Sequence, residues 1–114
     1  MVEKALRTIL YVDDEPDIRE VVEMSLSFAG DLHVHTCDSG ERALELLPSV
    51  APDLILLDVM MPGLDGPSTL QRIREMPKFA RTPVVFMTAK ALPQEVARFK
   101  SLGAVAVIAK PFDP

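Results

Sequence analysis

The chain has 114 residues, a formal net charge of -5 at pH 7 and a single cysteine, Cys37. This length predicts one domain that buries its core without disulfides or structural metals, and a lone cysteine can form no internal disulfide. The scattered Lys and Arg residues argue against a nucleic-acid surface, which requires clustered positive charge. No segment is long and apolar enough to span a membrane, and no leader pattern is present, so we expect a cytoplasmic location.

Five short runs of aliphatic and β-branched residues are typical of β-strands. They lie at 8–12, 32–37, 54–57, 83–87 and 105–109. The four aliphatic residues at 54–57 show no polar alternation, as expected of a strand that is buried on both faces of a sheet. Residues 32–37 alternate in polarity and carry His33 and His35, so we expect this strand at the sheet edge.

Helical patterns separate these runs. Three of the helices begin at a proline, whose missing N–H costs nothing in the first turn; these are Pro16, Pro67 and Pro93. Ser39 is a suitable N-cap for the remaining helix, which we expect Pro48 to break. In the helix that follows Pro93, Val96 and Ala97 are expected to face the core.

Strands that alternate with amphipathic helices predict an α/β domain with a doubly wound parallel sheet, because helices supply the right-handed crossovers between parallel strands. If the five strands follow the flavodoxin-like order 2-1-3-4-5, the carboxyl ends of four of them meet at one edge of the sheet. Polar residues close each of these four strands: Asp13 and Asp14, Asp58, Thr88 and Lys110.

The three carboxylates at this edge would repel one another and favour their protonated forms unless a cation lies between them. Mg2+ fits, because it prefers oxygen ligands and keeps several waters for a phosphoryl group. Lys110 adds a positive point charge, and Thr88 adds a hydroxyl that can donate to an oxyanion. The set suits phosphoryl transfer to a carboxylate, with Asp58 as the nucleophile.

In their order and placement these residues resemble the receiver domain of two-component response regulators. The similarity spans nearly the whole chain, and its motifs are Val12-Asp13-Asp14-Glu15, Leu57-Asp58-Val59-Met60-Met61-Pro62-Gly63-Leu64-Asp65-Gly66, Thr88-Ala89 and Lys110-Pro111-Phe112. Each motif alone is weak, whereas their combination at strand ends is specific. We therefore expect residues 1–114 to form one receiver domain.

The resemblance implies a metal site made of Asp14, Asp58 and the Met60 carbonyl, which would ligate Mg2+, while Asp13 would act through a water molecule. It also implies that Asp58 accepts a phosphoryl group from the phosphohistidine of a histidine kinase or a histidine phosphotransfer protein.

Thr88 and Lys110 would then hold the phosphoryl oxygens, and the Lys110-Pro111 peptide bond would be cis. The resemblance further implies a signalling switch that changes a partner-binding surface and acts on an output domain or a downstream protein. Such a switch hydrolyses its own aspartyl phosphate slowly and is not a turnover enzyme.

Two positions depart from the family pattern. Val107 stands where family members usually carry the Tyr or Phe that reports phosphorylation, so the signal is expected to run through the loop after Thr88 and the helix after Pro93. The sequence also ends at Pro114, where the fifth helix of the family would begin. We expect a truncated domain that bares apolar atoms beside the fifth strand and tends to self-associate.

Two other functions remain open at this point. One is a phosphorylation-independent receiver that only binds a partner, which Val107 favours and the intact Asp58, Thr88 and Lys110 disfavour. The other is a phosphatase of the haloacid dehalogenase type. Those enzymes open with a nucleophilic Asp-x-Asp on the first strand, whereas this chain has Asp13-Asp14-Glu15 there.

Overall fold

Five parallel strands form one sheet in the order β2-β1-β3-β4-β5, as seen in a computed structural model that describes residues 7–28 and 30–110. The strands are β1 (Thr8–Val12), β2 (His33–Cys37), β3 (Leu54–Asp58), β4 (Val84–Thr88) and β5 (Ala106–Ala109). The described ranges also contain four α-helices and one short 3-10 helix (Pro77–Phe79): α1 (Pro16–Ser27), α2 (Gly40–Val50), α3 (Gly66–Arg74) and α4 (Pro93–Ser101). The predicted doubly wound, flavodoxin-like sheet is confirmed.

The helices cover the two faces of the sheet unequally. Helices α2, α3 and α4 pack on one face, where Leu10, Leu57 and Phe86 are fully buried. Helix α1 packs on the other face, where Tyr11 and Met87 are fully buried. Because the side chains of a strand alternate between faces, each central strand contributes to both cores.

Strand β2 lies at the edge of the sheet, as its alternation predicts, and both His33 and His35 are exposed there. At the opposite edge, Val105 is 58% exposed and Ile108 is 37% exposed beside β5. No helix follows β5 within the residues that the structure describes. Pro111 lies outside them, so the predicted cis peptide bond is not described.

The predicted cap of α2 is confirmed, because the Ser39 hydroxyl accepts the Arg42 N–H at 3.1 Å. The prediction that Pro48 breaks this helix is wrong. Helix α2 continues through Pro48 to Val50 and ends at Ala51, which adopts a left-handed φ of 47°. A proline removes only one helical hydrogen bond, and here it stands near the end of the helix, where few later bonds depend on it.

Helix α4 begins at Pro93 as predicted, but its buried face differs from the prediction. Val96 is half-buried and Ala97 is exposed, whereas Phe99 is 3% exposed. The Phe99 ring packs edge-on against Phe86 of β4, with 5.1 Å between the ring centroids. This aromatic contact sets the rotation of the helix about its axis, because a Phe side chain gains more from burial than Ala does.

None of the helices formed by the described residues combines the length and the hydrophobicity that crossing a membrane requires.

Candidate phosphoryl-acceptor site at the carboxyl edge of the sheet

The parallel register brings the polar strand ends together. Val12 of β1 pairs with Leu57 of β3, and Asp58 pairs with Met87 of β4, so the residues that close these strands lie side by side. One carboxylate oxygen from each of Asp13, Asp14 and Asp58 lies within 4.8 Å of the others. The carboxylates predicted to gather here therefore do so.

Burial differs among the three carboxylates. Asp13 is fully buried and Asp58 is 2% exposed, whereas Asp14 is more exposed. A cluster of hard oxygen atoms that is partly open to solvent suits a cation such as Mg2+, which retains some of its waters. The donor set therefore fits the ion that the sequence implies.

Lys110 is the cation that faces this cluster. Its ammonium nitrogen lies 3.1 Å from Asp13 Oδ2 and 3.2 Å from Asp58 Oδ2, and its side chain is 9% exposed. Burial by itself lowers the pKa of Lys110, but the hydrogen bonds and negative charges of Asp13 and Asp58 outweigh burial and raise it. Lys110 therefore remains charged and bridges the two buried carboxylates.

Asp58 is hard to ionise in this setting. Burial raises its pKa, the nearby charge of Asp13 raises it further, and Lys110 and the Met60 N–H only partly compensate, so the pKa reaches about 6. One lysine thus does not fully neutralise the carboxylates. An added cation between them would favour the ionised form of Asp58.

Asp13 is held by several donors. Its Oδ1 accepts the Glu15 N–H at 3.0 Å, and its Oδ2 accepts the Tyr11 hydroxyl at 2.9 Å as well as the Lys110 ammonium. The Arg19 guanidinium donates to the Asp13 backbone carbonyl at 2.8 Å. Tyr11 was not predicted from the sequence as a site residue. The available signal was its position two residues before Asp13, on the same face of β1.

Thr88 and Met60 lie at the same edge but make different contacts. The Thr88 hydroxyl donates to the Lys90 carbonyl at 3.3 Å and accepts the Lys90 N–H at 3.4 Å, so it is engaged with its own loop. The Met60 backbone N–H donates to the Asp58 carboxylate, while its side chain is 77% exposed.

Gly66, at the start of α3, packs directly against the backbone of the acceptor strand. A Cβ atom at this position would lie 2.5 Å from the Asp58 carbonyl oxygen and 2.8 Å from Val59 Cα. The Gly66 N–H also donates to the Val59 carbonyl at 2.9 Å. Gly66 therefore permits the close approach of α3 to Asp58, which a side chain at this position would prevent.

Comparisons with known proteins agree with this geometry. The response regulator receiver domain family matches residues 9–114. Response regulator Rre1 of Synechocystis sp. is 38% identical over 107 residues, which cover 94% of this chain and 46% of that protein. The chain thus spans less than half the length of the first curated relatives that it matches.

Solved structures are similar over almost the whole chain. Chemotaxis protein CheY4 of Vibrio cholerae has a TM-score of 0.88 and 32% identity, covering 96% of this chain and 91% of that one. The N-terminal domain of a response regulator receiver protein from Methanoculleus marisnigri JR1 has a TM-score of 0.84 and 42% identity, covering 94% and 86%.

Proposed function

Because the chain belongs to the response regulator receiver domain family, we propose that it is a phosphorylation-dependent signalling switch whose phosphoryl acceptor is Asp58. The observation that carries this proposal is the contact of buried Asp58 with Lys110 at 3.2 Å, inside a compact cluster of three carboxylates. This arrangement gives a nucleophilic carboxylate a positive charge on one side and an oxygen-rich cation site on the other.

Asp58 suits the acceptor role better than its two neighbours do. Asp13 already accepts hydrogen bonds from Tyr11, Glu15 and Lys110, so few lone pairs remain for attack. Asp14 is more exposed, and the Lys110 ammonium contacts Asp13 and Asp58 at bonding distance instead. Asp58 combines burial, the lysine and the Met60 N–H at a single carboxylate.

Mg2+ is the cofactor that the donor set favours. The carboxylates of Asp13, Asp14 and Asp58 and the Met60 carbonyl would hold the ion, which when bound supplies positive charge to the transferring phosphoryl group. A solved structure of the similar response regulator Rcp1, 26% identical with a TM-score of 0.80, is described as its Mn(2+)-bound form. The similarity covers 94% of this chain and 83% of the Rcp1 chain. The Mn(2+)-bound form of this similar protein supports a divalent cation at the site of the present chain.

The proposed reaction transfers a phosphoryl group from a phosphohistidine to Asp58. A carboxylate oxygen of Asp58 attacks phosphorus, the P–N bond breaks, and its electron pair returns to the imidazole of the donor. Lys110 and Thr88 would hold the phosphoryl oxygens. The donor would be a histidine kinase or a histidine phosphotransfer protein, and the readout would be an output domain or a downstream protein.

The Thr88 contacts suggest how the surface would change. The Thr88 hydroxyl is hydrogen-bonded to the backbone of Lys90. To donate to a phosphoryl oxygen, it must break these hydrogen bonds and turn toward Asp58. The segment between β4 and α4 would then lose two hydrogen bonds and adopt another arrangement. This supports transmission of the phosphorylation signal through that loop and α4, because Val107 offers no aromatic ring. Truncation of the domain and self-association remain predictions.

The test is intact-mass measurement after incubation with acetyl phosphate and Mg2+. The wild type should gain one base-labile phosphoryl group, and Asp58→Asn should gain none. Asp65→Asn is the matched control, because Asp65 caps α3 outside the carboxylate cluster and should be phosphorylated normally.

An unmodified, folded wild type would contradict the proposal and favour a receiver that acts without phosphorylation. An adduct that persists in Asp58→Asn would show another acceptor. Fast, continuous release of phosphate without an accumulated adduct would instead indicate a phosphatase, because the proposed switch hydrolyses its aspartyl phosphate only slowly.

A further inference from the structure

We infer that Tyr11 is a positioning residue of this site: its hydroxyl fixes the Asp13 carboxylate in the orientation that the divalent cation requires. The inference rests on the proposed function and adds to it a residue from the second layer of the site. Tyr11 contacts a carboxylate of the cluster and is not itself a ligand or a nucleophile.

The contact is local and buried. Tyr11 and Asp13 are two residues apart in and just after β1, so their side chains lie on the same face of the sheet. Both are fully buried, and the Tyr11 hydroxyl lies 2.9 Å from Asp13 Oδ2. The hydroxyl therefore points along the strand toward the carboxyl edge, where the cluster lies.

Two donors bind the two carboxylate oxygens of Asp13, one donor to each oxygen. Glu15 N–H binds Oδ1 at 3.0 Å and the Tyr11 hydroxyl binds Oδ2 at 2.9 Å, which together fix the plane of the carboxylate. The Lys110 ammonium also donates to Asp13 Oδ2, but it contacts Asp58 Oδ2 as well, at 3.2 Å. In the proposed reaction Lys110 turns to the phosphoryl group, and the Tyr11 hydroxyl then remains as a fixed donor to Oδ2.

A buried tyrosine hydroxyl usually finds some acceptor, and that alone would be a structural role. The two roles differ in what the loss of the hydroxyl changes. A structural hydrogen bond contributes to stability only. A donor that orients a metal-binding carboxylate also sets metal affinity, because groups behind the ligands typically change it about 10–100-fold.

The sequence also offers a readout of the Tyr11 surroundings that needs no mutation. Tyr11 is the only tyrosine and the chain has no tryptophan, so intrinsic emission excited at the tyrosine band comes from Tyr11. Tyrosine emission depends on the charge of the hydrogen-bond acceptor. Binding of Mg2+ near Asp13 should therefore change the emission of the wild type.

The experiment titrates Mg2+ into the wild type and Tyr11→Phe by calorimetry, and into the wild type by tyrosine fluorescence. We expect Tyr11→Phe to bind Mg2+ about tenfold more weakly. The wild-type fluorescence should follow the calorimetric binding curve. The rate of phosphorylation by acetyl phosphate should fall in Tyr11→Phe at low Mg2+ and approach that of the wild type at saturating Mg2+.

Thr69→Val is the matched control. Thr69 is fully buried and its hydroxyl donates to the Asp65 carbonyl at 2.7 Å, away from the three carboxylates of the cluster. This variant also loses one buried hydroxyl, so it should lower stability without changing Mg2+ affinity.

Equal Mg2+ affinity in Tyr11→Phe and the wild type would overturn the role of Tyr11 and leave the metal site itself intact. A wild type that binds no Mg2+ would overturn both this inference and the proposed cofactor. If Tyr11→Phe does not fold, the fluorescence titration decides: emission that ignores Mg2+ while calorimetry records binding would refute the inference, and emission that follows binding would support it.

Discussion

The two ends of the sheet hold positive charge in different ways: Lys110 is nearly buried, whereas Arg74 is half-buried. At the carboxyl end, the Lys110 ammonium lies within 3.2 Å of both Asp13 and Asp58, so one cation faces two buried carboxylates. At the amino end, the Arg74 guanidinium donates to neutral groups. These are three backbone carbonyls, of Phe79 at 3.1 Å, Thr82 at 2.7 Å and Gly103 at 3.2 Å.

The two ends differ in whether their charged groups are balanced by the protein alone. Arg74 ties the end of α3 to the segments before β4 and β5, and burial lowers its pKa without any second ionisable partner. At the carboxyl end, negative charge remains in excess after Lys110 is counted, and the pKa of Asp58 is raised. The charge at the amino end is thus satisfied by neutral acceptors, whereas the carboxyl end keeps an excess of negative charge that a bound cation can balance.

Removing Arg74 should have the largest effect on stability. Arg74→Met leaves three backbone carbonyls without their donor and should lower the free energy of unfolding by about 1.5–3 kcal/mol, the range for hydrogen bonds to charged groups. Urea denaturation measures this loss. Mg2+ affinity should not change, because Arg74 lies at the other end of the sheet.

Arg72→Met is the control for this prediction, because Arg72 lies in the same helix and is exposed. It should change stability by less than about 0.5 kcal/mol. A clear loss of Mg2+ affinity in Arg74→Met would show that the two ends of the sheet are coupled and do not act independently.

Neutralising Asp58 should have a smaller and opposite effect. Asp58→Asn removes one of the repelling buried carboxylates and should raise the free energy of unfolding of the metal-free protein, on the order of 2 kcal/mol. Asp13 still pairs with Lys110 in this variant. The same change should abolish most of the increase in Tm that Mg2+ gives the wild type, because the ion loses a ligand.

Thermal unfolding with and without Mg2+ tests both statements. Asp65→Asn again serves as the control, since Asn and Asp are comparable N-caps and Asp65 is exposed. If Asp58→Asn were less stable than the metal-free wild type, the Lys110 contact would outweigh the repulsion, and the carboxyl end would not carry excess charge.

The sequence predicted the carboxyl end far better than the amino end, and the reason is physical. Asp58 and Lys110 directly follow apolar runs, so strand periodicity and the shared edge of a parallel sheet place them together. Arg74 binds Gly103, 29 residues away, through contacts that depend on how α3 and α4 pack. The buried position of Phe99 likewise depends on tertiary packing, because its contact with Phe86 determines which face of α4 is buried. Local patterns do not encode such distances.

The raised pKa of Asp58 also predicts a pH dependence of stability. Burial and then the charge of Asp13 raise the pKa of Asp58 from 3.8 to about 6 in the folded protein. Between these values the folded state binds more protons than the unfolded state, so the free energy of unfolding falls as pH rises, by at most about 1.4 kcal/mol per pH unit. Above pH 6 this contribution is constant.

Other carboxylates also titrate in this range, so the measured quantity is the stability of the metal-free wild type minus that of Asp58→Asn at each pH. That difference should fall between pH 4 and pH 6 and then level off. Saturating Mg2+ should abolish the fall, because the ion favours the ionised carboxylate. A stability difference that rises with pH would mean that the charge of Lys110 outweighs the repulsion among the carboxylates. The carboxyl end would then need no added cation, as at the amino end.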